Sequence, residues 1–153
     1  MMESPISTLD NRTDMATKKM LENLVKRKRK FDDFKFKHEM SIFGTITLSI
    51  IMFVYLYFTI IKNYSFSFAS MFSAYANNSN HLWLLMGSVG MFGLMNLLKE
   101  KREKAEKEFH NLRCEIIDKS KDLWKKEEEW KNRHLVYEMM KDHYDINLYH
   151  ENK

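Results

Sequence analysis

SIFGTITLSIIMFVYLYFTII at residues 41–61 and LWLLMGSVGMFGLMNLL at residues 82–98 decide the fold of this chain. Neither run holds an Asp, Glu, Lys or Arg. Between Ser41 and Leu98 the one formally charged side chain is Lys62, although the whole sequence has 25 Lys and Arg and 21 Asp and Glu. A helix rises about 1.5 Å per residue, so the first run reaches roughly 32 Å, enough for a hydrocarbon core of about 30 Å. The second reaches only about 26 Å, and Asn80 and His81 are expected to extend it at the interface. A mean hydropathy of −0.50 with 30% charged residues would suit a soluble protein, but those averages conceal the segregation. A buried hairpin in a soluble helical protein is the competing reading. It fails because 153 residues leave too little amphipathic surface to cover two helices that are apolar all round.

Cations flank the runs. Lys26, Arg27, Lys28, Arg29, Lys30, Lys35 and Lys37 precede Ser41, whereas Lys99, Lys101, Arg102, Lys104, Lys107 and Arg113 follow Leu98. By the positive-inside rule both termini are expected in the cytoplasm and the loop outside, as in a two-span protein of the plasma membrane. Forty mostly polar residues before the first run argue against a signal peptide, so that span is expected to be an uncleaved anchor. Cys114 is the single cysteine, which excludes an intrachain disulfide and fits a reducing compartment.

The only proline is Pro5, and all four glycines lie inside the apolar runs. The expected class is therefore an all-α membrane protein, a two-helix transmembrane hairpin with long helices on both flanks. Residues 1–13 are read as disordered and 14–40 as a basic amphipathic helix with Met20, Leu24, Phe31 and Phe34 on one face. Residues 41–61 form the first span, 62–81 the outer loop, 82–98 the second span and 99–153 a charged helix. Lys26, Arg27, Lys28, Arg29 and Lys30 are expected to meet anionic lipid headgroups. No zinc, helix-turn-helix or RNA-binding signature accompanies them, so nucleic acid is not expected. In the loop, Phe68, Phe72 and Tyr75 fall at i, i+4 and i+7, which predicts a short interfacial helix.

The charged segment is expected to run as one helix to about Asp145. Glu100 with Lys104, Glu115 with Lys119, Asp122 with Lys126, Glu127 with Lys131 and Glu129 with Arg133 all have the favourable acid-first order at i,i+4. Phe109, Ile116, Leu123, Trp130, Tyr137 and Tyr144 recur every seven residues. The other seam position of a coiled coil, however, reads Leu112, Lys119, Lys126, Arg133 and Met140, so cations occupy its middle heptads. Self-association, packing against residues 14–40 and recruitment of a partner protein all remain open.

In the second span Gly87, Gly90 and Gly93 recur every third residue, and Gly44, Thr45 and Ser49 offer a matching surface in the first. In lipid such small residues let backbones approach closely, so they are read as a packing seam between the two helices or between protomers. The spans contain no ionisable side chain of the kind that marks proton relays or ion-coupled transport. No nucleophile elbow, phosphate loop or paired-cysteine motif appears, which argues against an enzyme and against a cofactor. His110 with Cys114, and His134 with Glu138 and Asp142, make i,i+4 ladders that a charge-rich helix produces in any case, so no metal site is assigned.

The run Leu9-Asp10, Thr13-Asp14, Thr17-Lys18, Met20-Leu21, Leu24-Val25 and Arg27-Lys28, followed by two spans and a charged helix, resembles an uncharacterised family of small two-span membrane proteins of Bacillus-type bacteria. The resemblance implies a bacterial plasma-membrane location and brings no activity or site residues. The leading expectation is a non-enzymatic membrane-anchored helical scaffold that forms a homo-oligomer or recruits a protein partner. The alternative is a small oligomeric channel, since the layout also resembles large-conductance mechanosensitive channels. Those channels carry their glycine-rich pattern in the first span; here it is in the second.

Overall fold

The computed structural model describes Ile6, Leu9 and residues 13–149, and every regular element among them is helical. Most of the segment read as disordered, 1–13, lies outside the described residues. Helix α1 spans Met15–Leu56, continues through a π-helical segment at Tyr57–Ile61 and ends with the turn Lys62–Tyr64. Helix α2 is Phe68–Ala76, α3 is Ser79–Asp118, α4 is the single turn Ser120–Leu123 and α5 is Glu127–Tyr144. The composition changes sharply at residues 40/41 and 98/99, but neither Gly nor Pro marks those junctions, and the helices run straight through them. Met15–Tyr64 and Ser79–Asp118 are both long and apolar enough to cross a membrane.

The chain divides into two compact units, residues 34–102 and residues 1–33 with 103–153. In the first, α1 and α3 pack antiparallel. His38 Nδ1 lies 3.4 Å from an Arg102 guanidinium nitrogen, Gly44 faces Met91, the Ser88 hydroxyl donates to Met52 Sδ at 3.5 Å, and the Tyr55 and His81 rings lie 5.3 Å apart. As the number climbs along α1 its partner's falls along α3. Most of the large apolar side chains of this unit stay exposed, Phe43, Phe53, Trp83 and Val89 among them.

In the second unit the N-terminal part of α1 pairs antiparallel with the C-terminal part of α3. Phe31 stacks on Phe109 at 6.3 Å, Lys30 pairs with Glu108 at 3.0 Å, and Thr17 Oγ1 donates to the Leu123 carbonyl at 3.3 Å. Helix α5 then runs back along α3, with the Arg113 Nε–H donating to the Asn147 carbonyl at 2.6 Å and Trp124 edge-on to Tyr137 at 5.7 Å. The core joins all three helices: Leu21, Leu24 and Val25 from α1, Phe109, Leu112 and Ile116 from α3, and Val136, Tyr137 and Met140 from α5. Ile6, Trp124, Ile146 and Leu148 close it.

The single charged helix expected to reach Asp145 is thus broken. The backbone leaves the helical region at Lys119 (ψ 11°), Trp124 (ψ 70°) and Lys126 (ψ 142°). Reversal of the chain brings Trp124 to 2% exposure, and that burial outweighs the local helix propensity of the linker. Helix α5 restarts cleanly, because Glu129 accepts the Lys126 backbone N–H at 3.5 Å and Glu127, Glu128 and Glu129 fill its first turn, where carboxylates favour the helix dipole. It stops at Asp145, whose φ of 55° turns Ile146 and Leu148 back into the core.

Candidate functional site

The two apolar helices meet along one face of α3: His81, Leu84, Ser88, Met91, Met95 and Leu98, spaced three and four apart, are its partly or fully buried positions. Gly44 belongs to this seam, since a Cβ placed on it would lie 3.1 Å from the Met91 methyl. Thr45 and Ser49 are half-buried, and their hydroxyls donate to the Ser41 and Thr45 carbonyls of their own helix at 2.7 and 2.8 Å. Gly87, Gly90 and Gly93 are not in the seam. They are exposed, and a Cβ on any of them would meet nothing within 4 Å. The expected contact between the glycine series and the first span is corrected accordingly. Ser88 and Met91 take the inward phase of α3, and the adaptable thioethers of Met52 and Met91 fill the space that backbone approach would otherwise close.

The basic cluster is engaged within its own unit. Lys26 pairs with Glu22 at 2.9 Å, Lys28 with Asp32 at 2.9 Å and Lys30 with Glu108 at 3.0 Å, while Arg27 donates to the Glu108 carbonyl at 2.8 Å. Arg29 is exposed. Lys28 also lies over the Phe31 and Phe109 rings, 5.7 and 6.0 Å from their centroids. Hydrogen bonds to Lys26 and Lys30 hold the Glu22 and Glu108 carboxyls below their ordinary range.

The seven-residue register is also consumed inside the unit. Phe109, Ile116 and Tyr137 are buried in its core, and Leu123, Trp130 and Tyr144 pack half-buried against it. Burial raises the Tyr137 hydroxyl above its ordinary pKa. Among the described residues no group of three or more His, Cys, Asp or Glu is placed to hold a metal ion.

A further candidate site, which no local sequence pattern marks, lies at the loop end of the apolar pair. His81 is only 4% exposed, stacks on Tyr75 at 5.4 Å and lies 5.3 Å from the tilted Tyr55 ring. Its Nδ1 lies 3.2 Å from the Tyr75 carbonyl, which can only accept, so Nδ1 carries the hydrogen. Nε2 is buried without a hydrogen-bond partner. His81 lines a cavity of about 500 Å³ with Thr59, Tyr64, Asn77, Asn78 and Ser79. Thr59 and Ile60 of its lining belong to the π-helical segment. A π turn displaces carbonyls from their usual donors, and the Asn63 side chain recovers two of them, donating to Phe58 and Thr59 at 3.2 Å each. Ile60 is shared with an adjoining apolar groove of about 240 Å³ lined by Leu56, Ile61, Phe68, Met71 and Phe72. The aromatic spacing that predicts α2 points to the groove; no local pattern marks His81.

A family model described as "Protein of unknown function (DUF2663)" matches residues 20–151. The chain is also similar to the "Uncharacterized protein YpbF" of Bacillus subtilis (strain 168), with 36% identity over 152 residues, covering 99% of this chain and 100% of that protein. No solved structure matches.

Proposed function

We propose, for a chain that belongs to the DUF2663 family of unknown function, that it is a non-enzymatic scaffold of the plasma membrane. Residues 41–61 and 82–98 cross the bilayer, both ends lie in the cytoplasm, and the protein self-associates through α3. The carrying observation is the open glycine face. A Cβ on Gly87, Gly90 or Gly93 would meet nothing within 4 Å, whereas the aromatic register of the charged segment is already spent on its own core. In lipid a groove of small residues is the surface that a second helix packs into. The charged unit, by contrast, offers a cytoplasmic partner few large apolar contacts; Met15, Leu135 and Tyr149 are exposed on it.

The test is fluorescence energy transfer between labelled copies of the full chain in liposomes. The wild type should transfer energy at dilute protein-to-lipid ratios, and the triple Gly87→Ile, Gly90→Ile, Gly93→Ile variant should need at least about tenfold more protein, a loss of roughly 1.4 kcal/mol. A monomeric wild type, or a variant that associates as well, overturns self-association through α3. Topology is read separately with a membrane-impermeant maleimide on intact cells: Ser65→Cys should label and Glu100→Cys should not. Conductance of the same liposomes under tension would move the assignment to the channel reading.

A further inference from the structure

We propose that the cavity around His81 binds the neutral, hydroxyl-rich headgroup of a membrane lipid whose acyl chain lies in the adjoining groove. The inference rests on the membrane reading above, though not on self-association.

Three observations select this occupant. First, the cavity wall is polar but carries no Asp, Glu, Lys or Arg: hydroxyls and amides come from Thr59, Tyr64, Asn77, Asn78 and Ser79. Such a lining exchanges hydrogen bonds with a polyol and offers no counter-charge to a phosphate or an ammonium. Second, Nε2 of His81 is a buried acceptor lacking a donor. With Nδ1–H committed to the Tyr75 carbonyl, one face stacked on the Tyr75 ring and the Tyr55 ring tilted against it, the imidazole is held where it stands. Nε2 has almost no accessible surface, so a ligand hydroxyl would supply the donor by displacing the side chain that now covers it. Third, the polar cavity and the apolar groove share Ile60, which is 6% exposed, so the two compartments adjoin across one side chain. A molecule that fills both is polar at one end and apolar at the other. The π turn builds this arrangement: it widens α1 by one residue per turn at Tyr57–Ile61, where Thr59 and Ile60 reach the two compartments.

The test uses the full chain in phosphatidylcholine nanodiscs doped with a monoglucosyl diacylglycerol or with the diacylglycerol of the same chains. Native mass spectrometry counts the lipid retained, and 15N-histidine NMR follows Nε2, assigned with His81→Phe. The sugar lipid should be retained about tenfold over diacylglycerol, the equivalent of roughly one net hydrogen bond, and should move the Nε2 resonance toward that of a hydrogen-bonded acceptor. His81→Phe keeps a ring against Tyr55 and Tyr75 and should abolish the preference. Equal retention of the two lipids, an unmoved Nε2 in the wild type, or a preference that survives His81→Phe overturns the proposal. The wild-type resonance decides even if the variant misassembles. A chain that fails to enter nanodiscs overturns the membrane reading and this inference with it, whereas one that enters without discriminating overturns the inference alone.

Discussion

Trp124 is the residue on which the charged unit turns. It is 2% exposed, edge-on to Tyr137, and its indole N–H is buried with no acceptor. Shape and polarity therefore pull apart. Trp124→Ala should cost about 3–5 kcal/mol through the lost contacts and the cavity left behind. Trp124→Phe retains an aromatic ring and removes the unsatisfied donor, whose burial costs about 1–3 kcal/mol, so it should cost less than half as much. Chemical denaturation of the full chain followed by circular dichroism separates the two; equal losses would mean that the ring contacts contribute little.

Titration at single residues sets a pH window. Glu22, Glu108 and Glu115 are held below their ordinary 4.5 by hydrogen bonds to Lys26, Lys30 and Lys119. Their stabilisation is complete above the unfolded value and is lost as pH falls through the lower folded values. Burial raises Tyr137 above its ordinary 10.0, and the hydrogen bond to Glu115 raises Lys119 above 10.5. Both contributions hold below those values and fade as pH rises through the folded ones. Thermal melts should thus be flat between about pH 5 and 9.5 and decline on either side, with a shallow acid limb because solvent reaches the Glu108 and Glu115 carboxylates and screens their ion pairs. A midpoint that climbs as pH falls below 4 would contradict the assignment.

Among elements, the pairing of α1 with α3 fixes a register that can be trapped. The Ser88 hydroxyl meets Met52 Sδ at 3.5 Å, so Met52→Cys with Ser88→Cys, in a Cys114→Ser background, should crosslink within one chain on mild oxidation. Shifting the second cysteine to Gly90, on the open face, should abolish it; an efficient crosslink there would disprove the register. Much of this level is legible from residue type. The charge-free window announces two long apolar helices, and Phe109, Ile116 and Tyr137 announce core positions by their spacing. The break between α3 and α5 is not legible, because Lys119 to Lys126 contains no Gly or Pro and Trp124 gains its reason to leave the helix only from Tyr137 further along the chain. Nor is the orientation of the glycine series, since the inward phase of α3 depends on which side chains α1 presents. His81 escapes for the same reason: its partners Tyr55 and Tyr75 become neighbours only once the hairpin has closed.

For the whole molecule, the charged unit is discontinuous, built from residues 1–33 and 103–153. Residues 99–153 alone lack Leu21, Leu24 and Val25, each at most 1% exposed in the intact chain. That fragment should therefore be largely unfolded in dilute buffer, and adding a peptide of residues 1–33 should restore helicity. A fragment that is stably helical by itself would show that α3 and α5 suffice. The same discontinuity imposes a waiting time. A ribosome adds about 5–20 residues per second, so roughly 4–17 seconds separate the synthesis of Val25 from that of Phe109, its neighbour in the core. During that interval Leu21, Leu24 and Val25 have no core of their own to cover them, while the first of the two long apolar helices is being made. On the membrane reading proposed above, the half-finished protein would depend on borrowed cover, such as the lipid surface, until its far end arrives.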